Sequence, residues 1–173
     1  ATMKKHLSVF LLAARAGVYR LILVLALTAA AECALFRISL HSSALELAVR
    51  AGGMAIVFCA AFLLLTLLLC GSGCAFSSQP GYTLRRLSVS ERSVFLSQAV
   101  FHAAAYLILW GVQVLLALLL CRSYVAANPA HSSSQSIFLA FYRNAFLHSL
   151  LPLEETGRWV CNTVLALGLG LCT

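Results

Sequence analysis

The sequence is poor in charged residues, and this scarcity excludes an ordinary soluble domain. Only 10% of the 173 residues are Asp, Glu, Lys or Arg, whereas 62% are hydrophobic and the mean hydropathy is +0.96. A soluble domain usually carries about 25% charged residues. A chain of this length cannot hide so much apolar surface in a core, but lipid accepts helices that satisfy their own backbone hydrogen bonds. We therefore expect a helical membrane protein.

The sequence also lacks the arrangements on which most catalytic chemistry depends. No Gly-rich loop ends in Lys followed by Ser or Thr, which excludes a P-loop nucleotide site. The five histidines fall in different flanks or loops, and no nucleophile stands with a base. Cys70 and Cys74 have metal-like spacing, but neither a second pair nor a nearby histidine completes a site. We expect no enzymatic activity, no cofactor and no metal in this chain.

Four apolar runs separated by polar segments predict four membrane spans, since each crossing needs about 20 apolar residues. Helix breakers between Gly71 and Gly81 end the second run. Ser88-Val-Ser-Glu91 is a capping box that starts the third. The fourth stops at Thr173 without a closing charge, so we expect the chain to be incomplete there. The predicted spans of this single transmembrane domain, 1–173, are 18–36, 51–70, 94–120 and 159–173.

Two other segments predict helices that lie at the membrane surface. Residues 3–15 are basic and amphipathic, as suits a helix in the headgroup plane. A signal peptide is the alternative reading, but Glu32 and Cys33 make a poor cleavage site. Residues 137–151 are apolar but too few to span, and they predict a short amphipathic helix, interfacial or re-entrant, before the last span. This segment is interrupted by Arg143, Asn144 and His148.

The basic residues indicate orientation rather than nucleic-acid binding. Twelve Lys and Arg against five acidic residues give a formal net charge of +7, but they stand singly or in pairs between the apolar runs. Basic residues are concentrated in the short flanks of the N-terminus and of the loop 71–93. The positive-inside rule places both on the cytoplasmic side of a cell membrane.

Three polar residues are candidates for a transport path: Glu32, Gln98 and His102. Glu32 is the one acidic residue inside an apolar run, and an intramembrane carboxylate is a functional candidate by default. The alternative is that it reaches the headgroups or pairs with a base, since Arg37 follows a turn and a half later. Gln98 and His102 stand in the first turns of the third span, where polar side chains also serve as helix-packing hydrogen bonders.

The segment Tyr82-Thr-Leu-Arg-Arg-Leu-Ser-Val-Ser-Glu-Arg92 resembles a loop of bacterial ABC transporter permease subunits of the exporter-like second type. In that family the loop leads into the third membrane helix. The stretch from Phe141 to Leu153 also looks like the one before the fourth span in permease-like proteins. The resemblance covers nearly all of this chain, which would supply about the first four of a usual six spans. It implies alternating access, with a separate ATP-binding subunit and a second permease copy or homologue as partners.

By this resemblance, residues 82–92 are the cytoplasmic coupling segment that meets the ATPase. Its expected contact residues are Arg85, Arg86, Glu91 and Arg92. From composition alone, the same cluster equally fits a topology determinant that binds anionic headgroups. We therefore expect a permease subunit, and the alternative is a non-transporting membrane scaffold or assembly subunit. An enzyme acting on lipid is disfavoured, because the acid and base candidates are dispersed along the chain.

Overall fold

The computed structural model describes residues 2–39, 45, 48–49, 53–73, 91–128, 135–152 and 156–172. For residues 2–16, 71–73, 91, 93–94, 135–136 and 140 it describes the backbone alone. Six helices have both ends within these ranges, residues 45 and 48–49 are also helical, and no strand occurs in the described residues, which confirms the predicted all-α class. The six helices are α1 (Thr2–Ser39), α2 (Met54–Gly73), α3 (Glu91–Ala127), α4 (Gln135–Arg143), α5 (Ala145–Leu150) and α6 (Thr156–Cys172).

Two helical stretches are long and apolar enough to cross a membrane. They are Gly17–Ser39 in α1 and Phe95–Ala127 in α3, while Met54–Cys70 in α2 is apolar but shorter. The predicted spans at 18–36 and 94–120 lie inside α1 and α3, and all of their residues except Val94 fall within these two stretches. The spans predicted at 51–70 and 159–173 correspond mainly to α2 and α6, and a four-span topology stays a prediction.

α1 continues without a break through the predicted boundary between an interfacial helix and the first span. The residues around this boundary, from Arg15 to Val18, include one glycine and no proline. A single glycine costs a helix only about 1 kcal/mol relative to alanine, and a long helix tolerates that cost. The backbone of 3–15 is therefore helically continuous with the span, and its location at the membrane surface stays a prediction.

α3 is the central helix and packs against α1, α2 and α6. α1 runs parallel to α3, because Gly17 lies against Phe101 near one end and Glu32 meets Gln113 further along both helices. Two clusters of buried apolar side chains hold the bundle together, one around Phe101 and the other around Cys121 of α3. The polar pair of α1 and α3 lies between these clusters along both helices.

α6 runs antiparallel to α3. Gly170 near its end lies against Ala103, and Trp159 near its start packs edge-on against Trp110, with ring centroids 5.0 Å apart. The Trp159 indole N–H donates to the carbonyl of Pro152 at 2.7 Å, which holds the start of α6 to the preceding turn. α6 therefore returns along the α3 face that carries Ala103 and Trp110.

The segment before α6 forms two helices, divided at Asn144. The Asn144 side chain accepts hydrogen bonds from the backbone N–H groups of Phe146 at 3.0 Å and Leu147 at 3.2 Å. Its own backbone is extended, with φ −80° and ψ 117°, as is usual for an N-cap residue. Asn144 thereby starts α5 and ends the amphipathic helix α4, so the predicted segment at 137–151 is bent rather than continuous.

Candidate functional site

Glu32 and Gln113 form a hydrogen-bonded pair in the interior of the helix bundle. Gln113 Nε2 donates to Glu32 Oε1, which joins α1 to α3 across 81 residues of sequence. Both residues are completely buried, with 0% of their surface exposed. A carboxyl group and an amide at this depth are unusual, because buried polar groups cost free energy unless they are hydrogen-bonded.

Periodic burial along both helices explains why these two side chains meet. Residues three or four positions apart lie on the same face of a helix, and each of the two polar residues occupies such a buried stripe. On α1 the stripe consists of Leu21, Val24, Thr28, Glu32 and Phe36. On α3 it consists of Tyr106, Leu109, Gln113, Ala117 and Cys121. The packing of these two faces places the Glu32 carboxyl group beside the Gln113 amide.

One oxygen atom of each side chain has no hydrogen-bond partner among the described residues. These atoms are Glu32 Oε2 and Gln113 Oε1. A carboxylate and an amide oxygen are both acceptors, so they cannot satisfy each other without a hydrogen between them. An unsatisfied buried polar atom costs about 1–3 kcal/mol. The pair therefore presents two buried acceptor oxygens without partners among the described residues.

Among the residues that the structure describes, the near surroundings of the carboxyl group are neutral. Thr28, one turn before Glu32, donates its hydroxyl hydrogen to the Val24 carbonyl at 2.7 Å and so is engaged within α1. Arg37, which the sequence offered as a possible partner of Glu32, is exposed. Within the described part of the chain, the Gln113 amide is the group that bonds the carboxyl.

The other two predicted transport residues lie away from Glu32. His102 is buried on the same face of α3 as Gln113, but the separation of 102 from 113 corresponds to about 16 Å along the helix axis. Its ring meets that of Phe101 edge-on, with centroids 6.0 Å apart. Gln98 is half-buried one turn further from the pair. The three residues do not converge on one point, and a path through them stays a prediction.

The predicted ATPase contacts fall largely outside the described residues. Arg85 and Arg86 are outside them, and Glu91 begins α3 with only its backbone described. Arg92 is exposed in the first turn of α3. Their contact with an ATPase stays a prediction.

A search for metal-ligating side chains in the described residues finds no group of three or more His, Cys, Asp or Glu. Cys70 is exposed, whereas Cys74 lies outside the described residues. Whether Cys70 and Cys74 lie close enough to share a metal therefore falls outside the described residues.

An apolar cleft of about 390 Å³ lies between α2, α3, α5 and α6. Aromatic side chains form much of its wall, namely Phe58, Phe62, Tyr106, Trp110 and Phe146. Its polar groups are engaged: the Tyr106 hydroxyl donates to Thr66 at 3.0 Å and the Trp110 indole N–H donates to the Leu150 carbonyl at 3.1 Å. The cleft therefore offers apolar surface, whereas the buried pair of Glu32 and Gln113 holds two acceptor oxygens without partners among the described residues.

Gln113 is the functional candidate that sequence reasoning missed. It is the one amide in the apolar run from 103 to 120, and an isolated amide inside a predicted span is a signal of interhelical hydrogen bonding. The sequence contains that signal, but it does not indicate which of the other helices carries the partner.

No known protein family, curated protein or solved structure matches this chain.

Proposed function

We propose that this chain is a multi-pass membrane protein with four spans and that it serves as the membrane-spanning permease subunit of an ATP-driven transporter. Support for membrane insertion comes from apolar exposure. In the most apolar part of Gly17–Ser39, only 28% is buried. In the most apolar part of Phe95–Ala127, only 33% is buried. The core helix of a soluble protein would be mostly buried. Side chains such as Leu23, Leu27 and Leu115 instead point outward and require an apolar surrounding.

The observation that carries the transport role is the buried pair of Glu32 and Gln113. Ionisable residues inside membrane segments are costly, face the bundle interior and commonly mark ion or substrate pathways. This pair connects two parallel helices through a single observed hydrogen bond. Alternating access requires helices to move relative to one another, and a contact of this kind can open and re-form during such movement.

The ATP-driven part of the proposal comes from the resemblance of residues 82–92 to a coupling loop. In this proposal Arg85, Arg86, Glu91 and Arg92 contact a separate ATP-binding subunit on the cytoplasmic side, where the N-terminus also lies. A second permease copy or homologue packs against part of the exposed apolar surface. Substrate would move between the two permeases.

The test is an affinity purification of the full-length protein, solubilised from its native membrane, with mass spectrometry of the chains that co-purify. We expect a stoichiometric P-loop ATPase. The double variant Arg85→Ala/Arg86→Ala should insert normally but lose stimulation of that ATPase. Arg122→Ala, which changes an exposed arginine near the other end of α3, is the matched control and should retain stimulation. Repeated preparations without an ATPase would exclude the permease proposal.

The second candidate is a non-transporting scaffold or assembly subunit, and the extensive apolar exposure of α1 and α3 favours it. Exposed apolar faces can pack against the helices of other membrane proteins as well as against lipid. In the same purification, a scaffold would bring down integral membrane proteins without an ATPase. Their recovery would be unaffected by Arg85→Ala/Arg86→Ala but reduced by polar substitutions on the exposed face, such as Leu27→Gln.

A further inference from the structure

We propose that Glu32 and Gln113 form a binding site for a single proton, which Glu32 carries as a neutral carboxylic acid and shares with the Gln113 amide. The two side chains then form a ring of two hydrogen bonds that fastens α1 to α3. This inference concerns the pair itself and does not require that the transporter be driven by ATP.

The pair of Glu32 and Gln113 could form a second hydrogen bond if one of its two free oxygens carried a hydrogen. A carboxylic acid and an amide can join through two bonds, in which the amide N–H donates to one carboxyl oxygen and the carboxyl O–H donates to the amide oxygen. The first of these bonds is present, from Gln113 Nε2 to Glu32 Oε1. The second bond requires Glu32 Oε2 and Gln113 Oε1, and neither atom has a hydrogen-bond partner among the described residues.

A proton on Glu32 Oε2 supplies the donor that both free oxygens lack. An ionised Glu32 has no hydrogen to donate, so it leaves two buried acceptors unsatisfied. Transfer of one proton from hydronium to the carboxylate, of charge −1, forms the carboxyl O–H bond, breaks one O–H bond of hydronium and leaves a neutral acid and a water molecule. The same proton removes a charge from a site with 0% exposure and closes the second hydrogen bond.

The charged residues of the packed helices do not neutralise Glu32. In the Gly17–Ser39 part of α1 the basic residues are Arg20, which donates to the Leu68 carbonyl at 2.7 Å, and Arg37, which is exposed. In the Phe95–Ala127 part of α3 they are His102 and Arg122, about 16 Å and 13 Å from Gln113 along the helix axis. From Met54 to Cys70, α2 has no charged residue.

The remaining titratable side chains on these elements are thiols and phenols, of which Tyr19 is exposed on α1 and Tyr124 is buried about three turns beyond Gln113 on α3. On α1, Cys33 is exposed on another face of the helix. On α3, Cys121 is buried two turns beyond Gln113, and Tyr106 lies two turns before it with its hydroxyl donated to Thr66. On α2, Cys59 and Cys70 are exposed. A proton on Glu32 itself is therefore the simplest way to remove the charge.

A metal cation fits the site less well than a proton. Hard cations such as Mg²⁺ and Ca²⁺ take about six or more oxygen ligands, whereas the pair offers two free oxygens. The nearby Thr28 hydroxyl already donates to its own helix, and the described residues contain no group of three or more His, Cys, Asp or Glu. The geometry therefore favours a proton over a metal cation.

Isotope-edited infrared spectroscopy of the full-length protein in lipid vesicles at neutral pH tests the proposal directly. The wild type is compared with Glu32→Gln, each with and without ¹³C-labelled glutamate carboxyl groups. We expect a carbonyl band of a protonated carboxylic acid that is present in the wild type, shifts with the label and is absent from Glu32→Gln. Loss of ionised carboxylate bands in that variant would overturn the proposal. Glu154→Gln, in a polar stretch of the sequence, is the control for an ionised glutamate.

Apparent melting temperatures in detergent provide a second measurement. Glu32→Gln replaces the carboxyl O–H by an amide N–H, so the two-bond ring survives and the melting temperature should be unchanged. Gln113→Leu leaves a buried carboxyl group without a partner and should lower it by several degrees. The double variant Glu32→Leu/Gln113→Leu should recover much of that loss, because removing both partners of a buried polar pair is often tolerated.

Two results of this measurement would contradict a proton site. If Glu32→Gln lowers the melting temperature as much as Gln113→Leu does, the ionised form of Glu32 is the one that holds the helices. If sodium chloride stabilises the wild type relative to choline chloride and Glu32→Gln removes the difference, the site binds sodium. Neither result depends on recovery of an ATPase, so this inference and the proposed function can fail separately.

Discussion

Gly170 of α6 lies against the backbone of Ala103 in α3. A Cβ atom at Gly170 would be 2.7 Å from the Ala103 amide nitrogen and 2.8 Å from its Cα atom. Atoms cannot approach that closely without displacement, so the contact requires a residue with no side chain at this crossing. Small residues serve this purpose in membrane helix pairs, because they allow the two backbones to come close together.

Gly170→Ala is expected to push α6 away from α3 and to lower the apparent melting temperature in detergent. Gly168 is the matched control, because a Cβ atom there meets nothing within 4 Å. Gly168→Ala should be neutral or slightly stabilising, since alanine favours the helix over glycine by about 1 kcal/mol. Thermal unfolding followed by circular dichroism compares the two variants. Equal melting temperatures would show that the close crossing does not contribute to stability.

The hydrogen bond between Tyr106 and Thr66 is expected to couple α3 to α2. The Tyr106 hydroxyl donates to Thr66 Oγ1 at 3.0 Å, and Thr66 in turn donates to the Phe62 carbonyl at 2.8 Å. A double-mutant cycle of Tyr106→Phe and Thr66→Val should give a coupling free energy of about 0.6 kcal/mol, as for other interhelical hydrogen bonds in membranes. Reversible unfolding in mixed detergent micelles provides the free energies. Tyr142→Phe, at an exposed position, is the control, and a coupling of zero would exclude the bond.

Arg20 is expected to stabilise the packing of α1 against α2. Its guanidinium group donates to the carbonyl of Leu68 at 2.7 Å, near the C-terminal end of α2, where a positive charge is favoured by the helix dipole. Arg20→Met retains the apolar stem but removes the donor, and it should cost about 1 kcal/mol of unfolding free energy. Arg37→Met changes an exposed arginine of the same helix and should cost less. Reversible unfolding in mixed detergent micelles measures the unfolding free energy of both variants. A larger loss for Arg37→Met than for Arg20→Met would refute the stabilising role of Arg20.

The proposed topology predicts which ends of α1 and α3 face the same side of the membrane. In a cysteine-free background, Arg92→Cys should react with a membrane-impermeant thiol reagent from the cytoplasmic side. Arg37→Cys and Arg122→Cys should react from the opposite side, because the two parallel helices end together there. Labelling of intact cells and of inverted vesicles separates the two sides. Reaction of Arg92→Cys and Arg122→Cys from the same side would show that α3 does not cross.

Helix locations were largely predictable from the sequence. The apolar runs at 18–36 and 94–120 fall inside α1 and α3, because a helix satisfies its backbone hydrogen bonds locally and so reflects local composition. The division at Asn144 was not predicted, although an asparagine within an apolar stretch is a common N-cap residue. The polar interruption was recognised, but its role as the start of a second helix depends on the extended backbone conformation that Asn144 adopts.

Of the two residues in the candidate site, only Glu32 was predictable from the sequence. Glu32 is conspicuous as an acidic residue in an apolar run, but its partner Gln113 lies 81 residues away on a different helix. The predicted companions Gln98 and His102 share that helix with Gln113, yet they lie nearer its start and do not meet Glu32. A residue's position along one helix does not determine which residue of another helix lies opposite.

The sequence by itself determined the helical class, the approximate extents of the apolar helices and the presence of one carboxylate within them. These properties depend on local composition and on hydrogen bonds within each helix. Only the tertiary structure decided that Glu32 bonds Gln113, that Tyr106 bonds Thr66 and that Gly170 lies against Ala103. In helices that are apolar on nearly every side, the sequence contains no amphipathic pattern that indicates which face packs against a partner. Their contacts depend instead on close packing and on a few polar or small residues, which act only once the helices are brought together.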